Sequence, residues 1–303
     1  MGAGPSHGTA TGQHRNRLVA VLGVTLTVMV AEVIGGLLSG SLALLADAGH
    51  MLTDAAGITM ALLASTLAGR PATLERTFGY QRAEILAAVI NALLLFAVAA
   101  FVLVEAARRL SSPPDVSSTL MLTVAAVGLV ANAGSLLLLR GAQADSLNVR
   151  GAYLEVLGDL LGSAAVVIAA LVIATTGFLR ADVIASALIG LMILPRTWRL
   201  LREAIDVLLE ATPKGVDLVE VRDHMTAVPG IVDVHDLHAW TITSGVPVLS
   251  AHVVVADEEF THHARCLILD RLTECLSGHF DVSHCTFQLE TIDHRDHEAS
   301  YHR

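Results

Sequence analysis

The sequence predicts an α-helical membrane protein of six transmembrane helices followed by a soluble α+β domain. Three observations carry that expectation. Of the 303 residues 53% are hydrophobic and the mean hydropathy is +0.62, more apolar than a soluble domain of this size. The apolar residues are concentrated: Ala, Leu, Val, Ile and Gly dominate residues 1–212, whereas 213–303 has an ordinary soluble composition. Charge divides at the same place, with net −1 before residue 213 and −9 after it. An acidic soluble domain argues against nucleic acid as a partner and leaves cation binding open. The predicted organisation is a polar tail over 1–16, a membrane domain over 17–211, a soluble domain over 212–292 and a short His-containing tail over 293–303.

Each span follows from an uninterrupted apolar run of about bilayer length. The N-terminus, MGAGPSHGTATGQHRNR, is polar and lacks an A-x-A-like cleavage site, so no signal peptide is expected. The first span is predicted over 18–38, and Ser39-Gly40-Ser41 turns the chain into a second over 42–67. A charged loop with Gly69 and Pro71 leads to the third, over 85–104. SSPPDVSS breaks the chain before the fourth, over 119–139. The polar loop 141–150 precedes the fifth, over 152–173, and Gly177 and Arg180 mark the turn to the sixth, over 183–201, with Pro195 near its end. Six spans place both termini on one side. With the termini inside, ten arginines (15, 17, 70, 76, 82, 140, 150, 196, 199 and 202) fall on inner segments and three (108, 109 and 180) on outer ones, which favours cytoplasmic termini.

The soluble domain reads as helix, strand, strand, helix, strand. VDLVEVRDHMTAV has the spacing of an amphipathic helix, IVDVHDLHAWTIT and PVLSAHVVV flank the turn Ser244-Gly245, HHARCLILDRLTECLSG is a second helix and VSHCTFQLET a third strand. That order predicts a small sheet with helices on one face. Leu249, Ala251, Val253 and Val255 alternate as a core face, as do Cys285, Phe287 and Leu289, so His252 and Glu290 share the opposite face. The three cysteines are nine and ten residues apart, neither a zinc ribbon nor a disulfide framework, which fits a reducing compartment. The trailing HRDHEASYH is expected to be disordered.

The chemistry lies in the membrane. SLALLADAGHMLTD puts His50 and Asp54 four residues apart inside an apolar helix, and GAYLEVLGDLLGS does the same with Glu155 and Asp159. Ionisable side chains are costly in lipid unless they serve a function. The second and fifth spans run in opposite directions, and both aspartates lie roughly 13–20 Å from the inner helix ends at about 1.5 Å per residue. One imidazole nitrogen and three carboxylates suit a zinc-type divalent ion better than magnesium or calcium. Gly49, Gly57, Gly158, Gly162 and Ser163 would let the helices approach closely. Asp47, Asn91 and Asn132 are candidate outer partners of the site, with Glu32 a further buried acid. Neither H-E-x-x-H nor G-x-S-x-G occurs, so nothing points to an enzyme.

LADAGHMLTD, RTFGYQRAEILAAVINALLL, LNVRGAYLEVLGDLLGS and HDLHAWTITSGVPVLSAHVVV together resemble the cation diffusion facilitator family of zinc-type metal exporters, over about residues 17–291. The resemblance implies a bacterial cytoplasmic-membrane homodimer with a cytoplasmic ferredoxin-like domain, exporting divalent ions in exchange for protons by alternating access. Zn2+ is the first expectation, with Co2+ and Cd2+ next; the ion is cargo and potential regulator, and no prosthetic group is implied. The family's transport site uses an H-x-x-x-D pair on the second and fifth spans. His50, Asp54 and Asp159 match it, and Glu155 stands where His is common. The cytoplasmic site of relatives matches His235, His252 and Glu290 here, with Gln288 in place of a frequent His ligand and His262, His263 or Cys266 as substitutes. A loop site found in some relatives is not expected, because 69–81 holds no His, Asp or Cys and Gln81 replaces a His. The alternative is a non-transporting membrane metal sensor or interaction protein, which would share the soluble domain but lack a complete membrane quartet.

Overall fold

In a computed structural model, which describes residues 10–141, 147–243, 245–256, 262–280, 282 and 284–297, the predicted spans are six helices. They are α1 (Ala10–Ser39), α2 (Leu42–Ala68), α3 (Ala83–Ser111), α4 (Ser118–Arg140), α5 (Leu147–Thr176) and α6 (Arg180–Leu208), each long and apolar enough to cross a membrane. Residues 1–9, Ser244 and His302 lie outside the described residues. Two helices are longer than their apolar runs suggest. α1 starts inside the polar tail, at Ala10, because the polar run QHRNR contains no helix breaker. α6 continues through Pro195 to Leu208 and ends where Glu210 turns left-handed (φ 58°) ahead of Pro213. Arg196 is therefore a mid-helix residue and not part of an inner loop.

The chain divides into two units, one formed by residues up to Met60 with Ile90–Leu200, the other by Ala61–Val89 with the residues from Leu201 onward. In the first, α1, α4 and α5 pack together. Its interior is built largely of small side chains: Ala43, Ala46, Ala99, Ala125 and Ala170 are fully buried. Small residues let helices approach where the surrounding lipid offers no hydrophobic drive. Large apolar side chains such as Leu93, Phe101 and Leu137 point outward, as lipid-facing residues do.

The turn between α1 and α2 is pinned from α6. Asp182, in the first turn of α6 and buried, accepts hydrogen bonds from Ser41 Oγ (2.5 Å), Leu42 N (2.9 Å) and Ala43 N (3.1 Å). These amide groups open α2 and have no partner within it, so the carboxylate caps a neighbouring helix and complements its dipole. Arg109 donates to Gly40 O at 2.9 Å, where a φ of +76° gives glycine its turn role.

In the second unit α7 (Leu218–Thr226), β1 (Ile231–Thr241), β2 (Pro247–Val255), α8 (His262–His279) and β3 (His284–Glu290) follow the predicted order. The sheet order is β1-β2-β3, antiparallel then parallel. The parallel pair requires the crossover that α8 supplies. Val221 and Met225 of α7 and Ile268, Leu272 and Leu276 of α8 bury against Val234, Leu249, Ala251 and Val253. At the end, α9 (Ile292–His297) is helical where disorder was expected for residues 294–297; Thr291 Oγ1 accepts from His294 N at 3.3 Å and Asp293 occupies the first turn. The segment between α2 and α3 attaches to this unit. Phe78 meets His284 edge-on at 5.8 Å, Thr243 Oγ1 donates to Glu84 Oε2 at 2.7 Å, and Arg82 pairs with Glu210 at 2.7 Å.

Candidate metal centres

α2 and α6 both start at the Asp182 clamp and run the same way. Asp54 lies thirteen residues past Ser41 and Arg196 fourteen past Asp182. At about 1.5 Å per residue each climbs roughly 20 Å, and the two side chains arrive at one level. There Arg196 joins the two predicted pairs. Its Nη2 donates to Glu155 Oε1 at 3.0 Å, and Nη1 lies 3.8 Å from Asp54 Oδ2. The same Asp54 oxygen is 3.7 Å from His50 Nε2, one helical turn back. The fourth predicted donor, Asp159, is 4% exposed, and its Oδ1 has no hydrogen-bond partner. Two of the four donors, Asp54 and Glu155, thus meet a guanidinium, and His50 reaches it only through Asp54.

His50, Asp54 and Arg196 line a cavity of about 190 Å³ together with Asp47, Gly158 and Gly162. It has room for a cation with several waters. A β-carbon added at Gly158 would meet nothing within 4 Å, so this glycine opens the cavity instead of bringing helices together. Gly162 does allow a close approach, in its case by the Asp47 carboxylate.

Behind the cavity a buried polar chain supports Asp47. Asn132 Nδ2 donates to Ser163 Oγ at 3.2 Å, and Ser163 Oγ donates to Asp47 Oδ2 at 3.2 Å. Two of the three expected outer partners, Asp47 and Asn132, belong to this chain. Asn91 stands apart from it, against Gly57. Glu32 is 1% exposed with neither carboxylate oxygen hydrogen-bonded, and it is accommodated by the missing side chain of Gly128.

The second centre sits on the sheet. Among the described residues one group of three or more His, Cys, Asp or Glu brings its donor atoms within 4.8 Å of one another: His235, His252 and Glu290. Register explains it. His235 of β1 pairs with His252 of β2, and Glu290 lies two residues beyond His252's partner Gln288 on β3. Glu290 Oε1 is 2.8 Å from His252 Nδ1, and its Oε2 is 3.4 Å from His235 Nε2. Gln288 Nε2 donates to Glu290 Oε1 at 2.7 Å, so the residue in place of a ligand orients one. A carboxylate only 2% exposed, facing two imidazoles, is a donor set that fits a zinc-type ion.

The three substitutes considered for a fourth ligand, His262, His263 and Cys266, lie outside that group. Asp236 does reach an imidazole of the group: its Oδ2 is 3.6 Å from His252 Nε2, and its Oδ1 is 2.9 Å from His238 Nε2. A register shift between His235 and His238, with Asp236 left-handed at φ 47°, aims it there. Burial pushes the Cys275 and Cys285 thiols up, which keeps them protonated and poor ligands.

Comparison with known proteins gives two family matches: the cation efflux transmembrane domain over residues 18–209 and the cation efflux protein cytoplasmic domain over 213–292. The chain is 47% identical over 302 residues to the metal cation efflux system protein CzcD of Cupriavidus metallidurans, covering 100% of this chain and 94% of that protein. It is 43% identical to the zinc transporter ZitB of Escherichia coli, over 90% of this chain and 87% of that protein. It is 39% identical to a cadmium, cobalt and zinc/H(+)-K(+) antiporter of Bacillus velezensis, over 96% and 93%.

Proposed function

The chain belongs to the cation efflux, or cation diffusion facilitator, family, and from that premise we propose that it exports a divalent transition-metal ion from the cytoplasm in exchange for protons. Zinc is the foremost cargo, with cobalt and cadmium next, as the names of the relatives suggest. The protein is a multi-pass membrane homodimer. Its membrane domain covers 17–211 and its metal-binding and dimerisation domain 212–292; both termini are cytoplasmic. It acts as a transporter and not as an enzyme.

One observation supports the site most directly. Side chains from two separate helices, Asp54 of α2 and Glu155 of α5, converge on a single cationic group beside His50. Carboxylates so placed favour a positive charge between the helices. With Asp159 they offer three oxygens, and His50 offers the one nitrogen. Metal and protons compete for these atoms, since a carboxylate or imidazole that carries a proton on its donor atom cannot coordinate. Exchange follows when one side of the membrane favours metal and the other protons. On the sheet, His235, His252 and Glu290 hold a regulatory ion.

Inside-out vesicles test this reading. Zinc, cobalt or cadmium uptake should depend on a proton gradient, and Asp54→Ala or Asp159→Ala should reduce it at least as much as the roughly 10–100-fold that loss of a group merely supporting a ligand costs. Absence of gradient-sensitive uptake of all three ions would defeat the antiporter assignment.

A further inference from the structure

We propose that Arg196 is a built-in competitor of the cargo: its guanidinium holds Asp54 and Glu155 by the oxygens that coordinate the metal, so the ion enters by displacing it and leaves as it returns. The inference rests on His50, Asp54, Glu155 and Asp159 being the cargo ligands.

The geometry makes the two cations mutually exclusive. Glu155 Oε1 receives Arg196 Nη2 at 3.0 Å, and Asp54 Oδ2 lies 3.8 Å from Nη1. A divalent ion bound to these oxygens at about 2 Å would stand beside a full positive charge. The competition is relieved by movement of the side chain. Movement is available. Arg196 lines the cavity beside His50 and Asp54, and its side chain is 47% exposed. Pro195 precedes it inside α6 and removes one helical hydrogen bond at that point, which loosens the backbone there.

The fifth-helix departure from the family pattern gains a reason. An imidazole at position 155 would deprive the guanidinium of the anionic acceptor it holds at 3.0 Å. Glu155 serves both cations: it is an oxygen ligand for the metal and the principal anchor for Arg196. A carboxylate there would otherwise strengthen the grip on a divalent ion and slow its release. The arginine offsets that by supplying a replacement cation from within the chain.

Zinc-uptake kinetics of the full chain in proteoliposomes, at a fixed proton gradient, decide the matter. Arg196→Gln should lower KM for zinc roughly tenfold, because the rival charge is gone and all four ligands remain. An arginine needed only for structure would leave KM unchanged or raise it on removal. Hence an unchanged or higher KM, in protein whose elution from a sizing column matches wild type, overturns the proposal. Should Arg196→Gln not fold, Arg196→Lys takes its place. One ammonium lacks the fork that spans both carboxylates, so KM should fall by a smaller factor, and a KM at or above wild type overturns the proposal equally. Asp54→Ala separates this inference from its premise. Wild-type transport by Asp54→Ala removes the ligand assignment itself. Loss of transport in Asp54→Ala beside a wild-type KM in the arginine variants leaves the ligands standing and removes the competitor.

Discussion

Asp182 shows how much one buried carboxylate can organise. It satisfies a hydroxyl and two amide donors that open another helix. Asp182→Ala should leave those donors unpaired, at about 1–3 kcal/mol for a buried group without a partner, and Asp182→Asn, which retains an acceptor oxygen, should lose less. Thermal unfolding in detergent reads the difference, and equal midpoints for wild type and Asp182→Ala would show that the cap carries no stability. The sequence hides this role, since an aspartate at the start of a span looks like an ordinary first-turn acid. Other residues were open to view. His50, Asp54, Glu155 and Asp159 stood out because four-residue spacing in an apolar run has few innocent explanations. Arg196 did not: an arginine near the end of a hydrophobic stretch reads as a flanking charge, and only the continuation of α6 to Leu208 puts it in the cavity. Asp236 escaped notice for a different reason, because its direction depends on a left-handed residue at a register shift.

Among the elements, α2 and α3 approach where α2 lacks side chains, at Gly49 against Val98 and more tightly at Gly57 against Asn91. A β-carbon at Gly57 would come 2.5 Å from Asn91 Nδ2. Gly57→Val should force the helices apart or turn Asn91 away, at about 1–3 kcal/mol. Because Asp54 lies less than one turn back on α2, zinc uptake should fall with it. Gly134→Ala on α4 meets nothing within 4 Å and should be neutral or slightly stabilising. Uptake assays beside melting curves for the two variants check this, and a Gly57→Val protein with wild-type values for both would remove the close packing. Element type and order were legible because bilayer-length apolar runs and period-two alternation are strong signals. Helix ends were less so: the polarity that ends a hydrophobic run does not end a helix. Sheet register was not legible at all, yet it alone brings Glu290 to His252.

For the molecule as a whole, the proposed donor groups form two sets, one in each unit, with no residue in common. Zinc bound at saturation by the full chain should therefore fall in two separate steps. His235→Ala with His252→Ala should remove one ion per protomer, and Asp54→Ala with Asp159→Ala another, with the losses adding as they do for independent sites. Equilibrium dialysis with metal analysis measures this; a fourfold variant that loses no more than either double variant would contradict it. Composition announced the division into membrane and soluble parts. It did not reveal that the ends of α2, α3 and α6 belong with the sheet, because that grouping arises from contacts between distant residues such as Phe78 and His284.

The Asp182 clamp also has a mechanical meaning. It ties α2 and α6 at their starting ends, while Asp54 and Arg196 face each other roughly 20 Å further along. With that end held, any change of angle between the two helices moves the clamp little and the level of Asp54 and Arg196 much more, so the gap at the cavity is the distance most sensitive to it.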